Sequence, residues 1–185
     1  MRYKPGHKEE TRQRILDAAG HSFRKNGFNG IGVDGLAKAA GVTSGAFYTH
    51  FTSKKSVFVA SLISSMEDLQ ASINAIRLES GDQWWQVFAE SYLNKARTRS
   101  EEGSCPLPSL SSEVGRSDDE IRELFEVELV KIVSAAKRSP VDGEQDNTWS
   151  NLAMLVGGVT LARAVKDDEL SDEIVKAVRA GLVGE

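Results

Sequence analysis

Residues 33–58, VDGLAKAAGVTSGAFYTHFTSKKSVF, constrain this chain more than any other stretch. Leu36, Ala37 and Ala40 give a first short helix a single apolar face, and Gly41 stops it where a left-handed residue is needed. Val42 crosses the turn, and Thr43 or Ser44 offers a hydroxyl to cap the next helix. That helix, residues 45–51, is too short to stand alone and carries Phe47, Tyr48 and Phe51. Phe47 and Phe51 read as core, and Tyr48 as an amphipathic side chain. Two short helices across a glycine turn, the second armed with small and polar residues, are the build of a helix-turn-helix that enters the major groove of duplex DNA.

Charge agrees with that partner once the chain is divided. The whole sequence of 185 residues carries −4, which alone argues against nucleic acid. Residues 1–55 hold 10 Lys+Arg against 4 Asp+Glu, a net of +6, whereas residues 56–185 hold 13 against 23, a net of −10. A basic head on an acidic body suits a protein that meets a polyanion at one end only. The division places a DNA-binding domain at 1–55 and a second domain at 56–185.

The remaining pattern is helical throughout. Ile15, Leu16, Ala19 and Phe23 share one stripe of a first helix that ends near Asn26-Gly27. Residues 1–8 read as a polar, basic arm, from which Arg2, Lys4 and Lys8 would reach DNA. Ser53 caps a long helix in which Phe58, Leu62, Met66, Leu69, Ile73 and Ile76 keep one face buried, and no Pro or Gly interrupts it before Gly81. Asp82 opens another helix. Residues 97–103 read as a polar break, and 104–115 as a short, irregular helix containing Pro106 and Pro108. Ser117, followed by Asp118, Asp119 and Glu120, reads as the cap of the next helix. A polar loop at 139–147 precedes two closing helices, 148–166 and 171–183. Strand-like alternation and internal repeats are absent, so the fold class is all-α, with about nine helices.

Several chemistries are disfavoured. Cys105 is the single cysteine, which leaves no intrachain disulfide or cysteine-built zinc site, and no redox role is assigned to it. His7, His21 and His50 offer no metal-ligand spacing. No cofactor is expected. Residues 30–35, GIGVDG, spell a dinucleotide fingerprint, but a helix rather than a strand precedes them and no acidic residue follows at the required distance. No secretory leader is recognisable, and the longest apolar stretch, 152–162, falls short of the roughly 20 residues of a membrane span. A cytoplasmic protein is expected.

The head resembles the TetR (tetracycline-repressor-like) family of bacterial transcriptional regulators. The resemblance rests on LAKAAGV at 36–42 and GAFYTHFTSK at 45–54 and covers roughly residues 9–58. It implies phosphate contacts from Tyr48, His50, Lys54 and Lys55, a hydroxyl contact from Thr43, and base readout by Ala46 and Thr49. Ser44 completes the DNA-binding set, although many members carry a basic residue there, and Gly32 stands where Ser or Thr is common.

In the body, Trp84, Trp85, Phe88 and Tyr92, with Met66, Leu69, Leu107, Leu110 and Phe125, are expected to line an apolar cavity for a largely apolar small-molecule effector. Gly157-Gly158 inside an apolar helix suggests close approach by another helix. Leu152, Leu155, Val156, Gly158, Val159, Ile174, Val178 and Leu182 would then form a homodimer seam. Two heads about 34–36 Å apart would read two half-sites of a palindrome. The function expected is a ligand-responsive regulator, a repressor released from its operator by a small molecule. The alternatives are an architectural DNA-binding protein or an enzyme, although no nucleophile–base–acid set is recognisable.

Overall fold

The computed structural model describes residues 7–97, 105–138 and 146–183. The arm residues Arg2 and Lys4 and most of the expected loops at 97–103 and 139–147 lie outside the described residues. Those described form nine α-helices and one 3₁₀ turn, with no strand among them. In chain order they are α1 (His7–Asn26), α2 (Val33–Ala39), α3 (Ser44–Tyr48), α4 (Lys54–Ser80), α5 (Trp84–Arg97), α6 (Pro106–Gly115), α7 (Asp119–Ala136), α8 (Thr148–Ala164) and α9 (Asp168–Val183). The 3₁₀ turn, Gly81–Gln83, leads into α5, so that helix starts two residues later than Asp82 suggested.

Helices α1 to α3 hold together through aromatic side chains. Phe23, Phe47 and Phe58 are fully buried. Phe23 meets Phe58 edge-on at 5.1 Å between ring centroids, and Phe28 meets Phe58 at 5.0 Å. Burying one such side chain contributes about 1.5–3 kcal/mol, more than a five-residue helix can supply from its own backbone. Phe47 therefore anchors α3, and Phe51 is buried just past its end. Gly41 has φ +66°, as the turn requires.

Helix α4 begins with a reciprocal cap: the Ser53 hydroxyl accepts from the Ser56 amide at 3.0 Å, and the Ser56 hydroxyl accepts from the Ser53 amide at 3.1 Å. It runs 27 residues without a break and packs on α1, α5 and α7. A rod of that length spans about 40 Å at 1.5 Å per residue. Val57, Phe58, Leu62, Met66 and Ile73 are buried along it.

Two local expectations are corrected. Residues 106–115 form a regular helix, because Pro106 occupies its first turn, where a missing N–H costs nothing. The cap of α7 is Asp118 rather than Ser117: Asp118 Oδ1 accepts from the Ile121 amide at 3.2 Å, while the Ser117 hydroxyl donates back to the Glu113 carbonyl. Helix α8 packs on α9 and α5. A Cβ built on Gly158 would lie 2.5 Å from Val178 Cγ2, so the close approach that the glycine permits is met by α9 of the same chain.

Candidate nucleic-acid interface

The Thr43 hydroxyl accepts the Ala46 amide at 3.1 Å, which starts α3 and leaves the hydroxyl proton available. Thr49 caps the other end and donates its hydroxyl to the Ala46 carbonyl at 2.6 Å. With Phe47 turned inward, Tyr48 and Thr49 are left outside, and Tyr48 is 55% exposed with its ring edge-on to Phe47. Thr43 is exposed, and Ser44 and Ala46 are partly so. Ser44 donates to Asp34 Oδ1 at 2.6 Å, tying the start of α3 to α2.

The cations divide into two kinds. Lys54 places its ammonium 4.3 Å from the centre of the Phe28 ring, a cation–π contact with the aromatic cluster. Lys55 is held by two carboxylates of the body, Asp118 Oδ2 at 2.9 Å and Glu120 Oε2 at 2.6 Å. These hydrogen bonds, Glu120 foremost, raise the Lys55 pKa, and the Lys55 bond lowers that of Asp118. A lysine expected to meet a phosphate is thus already engaged inside the subunit. Nothing in the sequence around Lys55 signals this, because its partners lie more than sixty residues away.

His50 has a buried Nδ1 without a hydrogen-bond partner. Burial lowers the pKa of its imidazole, and Lys8 and Arg12 push the same way against a weaker pull from Glu9. The neutral ring is favoured, so any added anion would be strongly felt. Lys8 is exposed on α1, which begins at His7 and so takes in part of the expected arm.

In the body, a cleft of about 300 Å³ opens between α1, α4 and α5. Of the residues expected around a ligand, it takes in Leu69, Phe88 and Tyr92. Met66, Trp84, Trp85, Leu107 and Leu110 are buried among other core side chains, and Phe125 packs on them partly buried. Trp85 also edges a second cavity, near the Arg179–Glu90 pair. The walls of the first cleft are more polar than expected. Ser61, Ser64, Ser65, Asp68 and Ser72 line it from α4 alone. The signal was present: those five recur along one side of α4, at spacings hidden by the apolar stripe beside them.

Of the residues expected at the dimer seam, Leu152, Leu155, Gly158 and Val159 are buried within the subunit, and Val156, Ile174, Val178 and Leu182 are half-buried. The outer face of α8 is carried by other residues. Trp149 is 56% and Leu161 60% exposed, with Ala153, Gly157 and Ala164 exposed on the same side. Among the described residues, no helix is long and apolar enough to cross a membrane.

Residues 15–60 match the family model described as bacterial regulatory proteins, tetR family. The chain is 47% identical over 62 residues to the HTH-type transcriptional regulator SrpR of Pseudomonas putida, a match covering 34% of this chain and 29% of that protein. It is 48% identical over 50 residues to the HTH-type transcriptional regulator AcrR of Shigella flexneri, covering 27% and 23%. These matches thus span under a third of each relative's own length. Over the whole chain the likeness is one of fold. The crystal structure of E. coli NemR in its reduced form superposes with a TM-score of 0.74 at 19% identity, over 91% of this chain and 95% of that one. A TetR-family regulator from Agrobacterium tumefaciens superposes at 0.70 and 15%, over 94% and 97%. The likeness to the tetR family of bacterial regulatory proteins is thus carried by the head, residues 15–60, and beyond it the likeness is one of fold.

Proposed function

We propose that the protein is a homodimeric DNA-binding repressor released from a palindromic operator by a small molecule. The observation that carries the reading is the surface around α3. Phe47 locks the helix from beneath, which leaves Thr43, Tyr48 and Thr49 outward, and the cation Lys54 follows at the start of α4. On that surface Tyr48, His50 and Lys54 take phosphates, and Ala46 and Thr49 meet base edges, Ala46 against a thymine methyl. Lys55 joins the phosphate set only when it leaves Asp118 and Glu120.

The second copy is argued from α8. A row of Trp149, Ala153, Gly157 and Ala164, flanked by Leu161, lies outward on a helix whose other side is already packed. Exposed Ala177, Ala180 and Gly181 on α9 give the neighbouring helix small residues as well. Two copies meeting through α8 and α9 bury both rows in a four-helix seam, and small residues let the backbones come close. Leu161→Arg is expected to shift the protein from dimer to monomer in sedimentation, with DNA affinity falling in parallel. A dimer that survives this change places the seam elsewhere.

Regulation follows from an equilibrium between two spacings of the heads, which a ligand shifts only through its differential affinity for the two. A mobility-shift titration tests the reading. Log affinity should fall linearly with log salt, at about 0.9 per neutralised phosphate, and a palindrome should outcompete random duplex. Equal affinity for any duplex would favour an architectural protein, and salt-insensitive or absent binding would exclude both.

A further inference from the structure

Helix α5 borders a cleft on each of two sides. Phe88 and Tyr92 line the one beside α4, whereas Trp85, Ala89 and Leu93 line another, bounded by α9 and by Arg138 just past α7. The inner surface of this second cleft is apolar: Trp85, Ala89 and Leu93 are buried, and Leu182 on α9 is half-buried. One wall is an ion pair complete in itself. Arg179 on α9 donates Nε to Glu90 Oε1 at 2.6 Å and Nη2 to Oε2 at 2.9 Å, so the two groups meet side by side and neutralise one another. Two charges of the cleft remain. Asp82, in the 3₁₀ turn before α5, and Arg138 are both exposed and carry opposite signs. They pair neither with each other nor with any other described residue. The volume, about 390 Å³, lies within the range of small-molecule sites.

We propose that this cleft binds a zwitterionic α-amino acid with an apolar side chain, its carboxylate on Arg138, its ammonium on Asp82 and its side chain against Trp85 and Leu93. The ground is charge balance. A monocarboxylate that meets Arg138 also brings its charge into a cleft holding the unpaired Asp82 carboxylate. A monoamine on Asp82 meets the same objection from Arg138. A neutral ligand takes water from both charged groups and returns nothing to either. A molecule with one charge of each sign answers both. A guanidinium grips a carboxylate through two parallel N–H bonds, and a carboxylate accepts from an ammonium. The Trp85 ring gives the apolar end of the ligand a broad surface. Such a ligand differs in class from the largely apolar effector expected in the body, and of the residues expected around that effector this cleft takes in Trp85 alone. The site does not depend on the function proposed above.

The test uses the full chain and probes that differ by one group at a time: phenylalanine, phenylpropanoate without the ammonium, phenethylamine without the carboxylate, and glycine without the ring. Amide resonances of Ala89, Leu93 and Leu182 should shift saturably with phenylalanine and not with glycine. Phenylpropanoate and phenethylamine should each bind about two- to fivefold more weakly, the scale of one exposed ion pair. Arg138→Gln should erase the advantage of phenylalanine over phenethylamine, and Asp82→Asn its advantage over phenylpropanoate. Both positions are exposed, so these variants should fold. Gln86→Trp, which fills the cleft from an exposed position, should abolish binding. No saturable shift with phenylalanine, equal binding of a singly charged probe, an advantage that survives Arg138→Gln and Asp82→Asn, or binding that survives Gln86→Trp would overturn the site.

Discussion

Lys55, in the first turn of α4, points its ammonium at Glu120 in the first turn of α7, with Nζ 2.6 Å from Oε2. Asp118 lies on the other side of the same ammonium at 2.9 Å. One lysine thus joins α4, the helix that follows α3, to α7. Replacing Asp118 by Asn and Glu120 by Gln frees Lys55 for phosphate while keeping an α7 cap, since Asn caps as well as Asp. Operator affinity at low salt should rise by about two- to fivefold, the scale of an exposed ion pair, and the gain should vanish at high salt. Unchanged affinity at low salt would mean that Lys55 stays with the body when DNA binds.

Positioning and readout should separate by mutation. Tyr48→Phe combined with Lys54→Ala is expected to weaken binding to all duplexes about equally. The salt slope should flatten by about 0.9 for each phosphate that is no longer neutralised. Thr49→Ala should instead alter base preference at one position of each half-site, by about 1–3 kcal/mol of discrimination. Preference profiles from a randomised operator library would show whether Thr49 reads a base.

His50 is expected to make DNA binding depend on pH. Burial, then Lys8 and Arg12, hold its pKa below the ordinary 6.5 in the folded chain. Its contribution to stability is therefore present above pH 6.5 and is lost as pH falls through the window beneath that value. A phosphate beside the ring acts in the opposite direction and favours the imidazolium. DNA binding should take up a proton, so affinity should increase as pH drops through that window while thermal stability of the free protein declines. His50→Gln should flatten both trends. A pH-independent affinity in the unsubstituted protein would place His50 away from the phosphates.

Packing between α8 and α9 should be sensitive at one glycine. Gly158→Ala sets a methyl 2.5 Å from Val178 Cγ2, so one helix must shift, at about 1–3 kcal/mol. Gly157→Ala, with nothing within 4 Å of the new carbon, should be neutral or slightly stabilising in the isolated subunit. Thermal unfolding of the two variants distinguishes them.

How much of this is legible in the sequence depends on the range over which each feature is decided. Helix α3 is readable because Gly41, Thr43 and Phe47 settle its turn, cap and anchor within seven residues. The cap of α4 is readable for the same reason. Ser117 and Asp118 are both good caps, and the choice goes to the side chain that faces the Ile121 amide, which spacing alone does not decide. The Lys55 ion pairs depend on how α4 and α7 meet, and charge patterning along one helix carries no trace of that. The lining of the cleft is hidden for a related reason. Large apolar residues such as Met66 and Leu110 invite assignment to a cavity wall, yet bulky side chains fill space, whereas small hydroxylated ones leave it open.

The most direct test of the central claim is selection of bound sequences from random duplex DNA with the purified protein, followed by titration of the winners against salt. Two half-sites with two-fold symmetry, centred about one helical turn or a multiple apart, are predicted, with affinity falling steeply as salt rises. Enrichment of no symmetric site, or retention of DNA that is indifferent to salt, would contradict it.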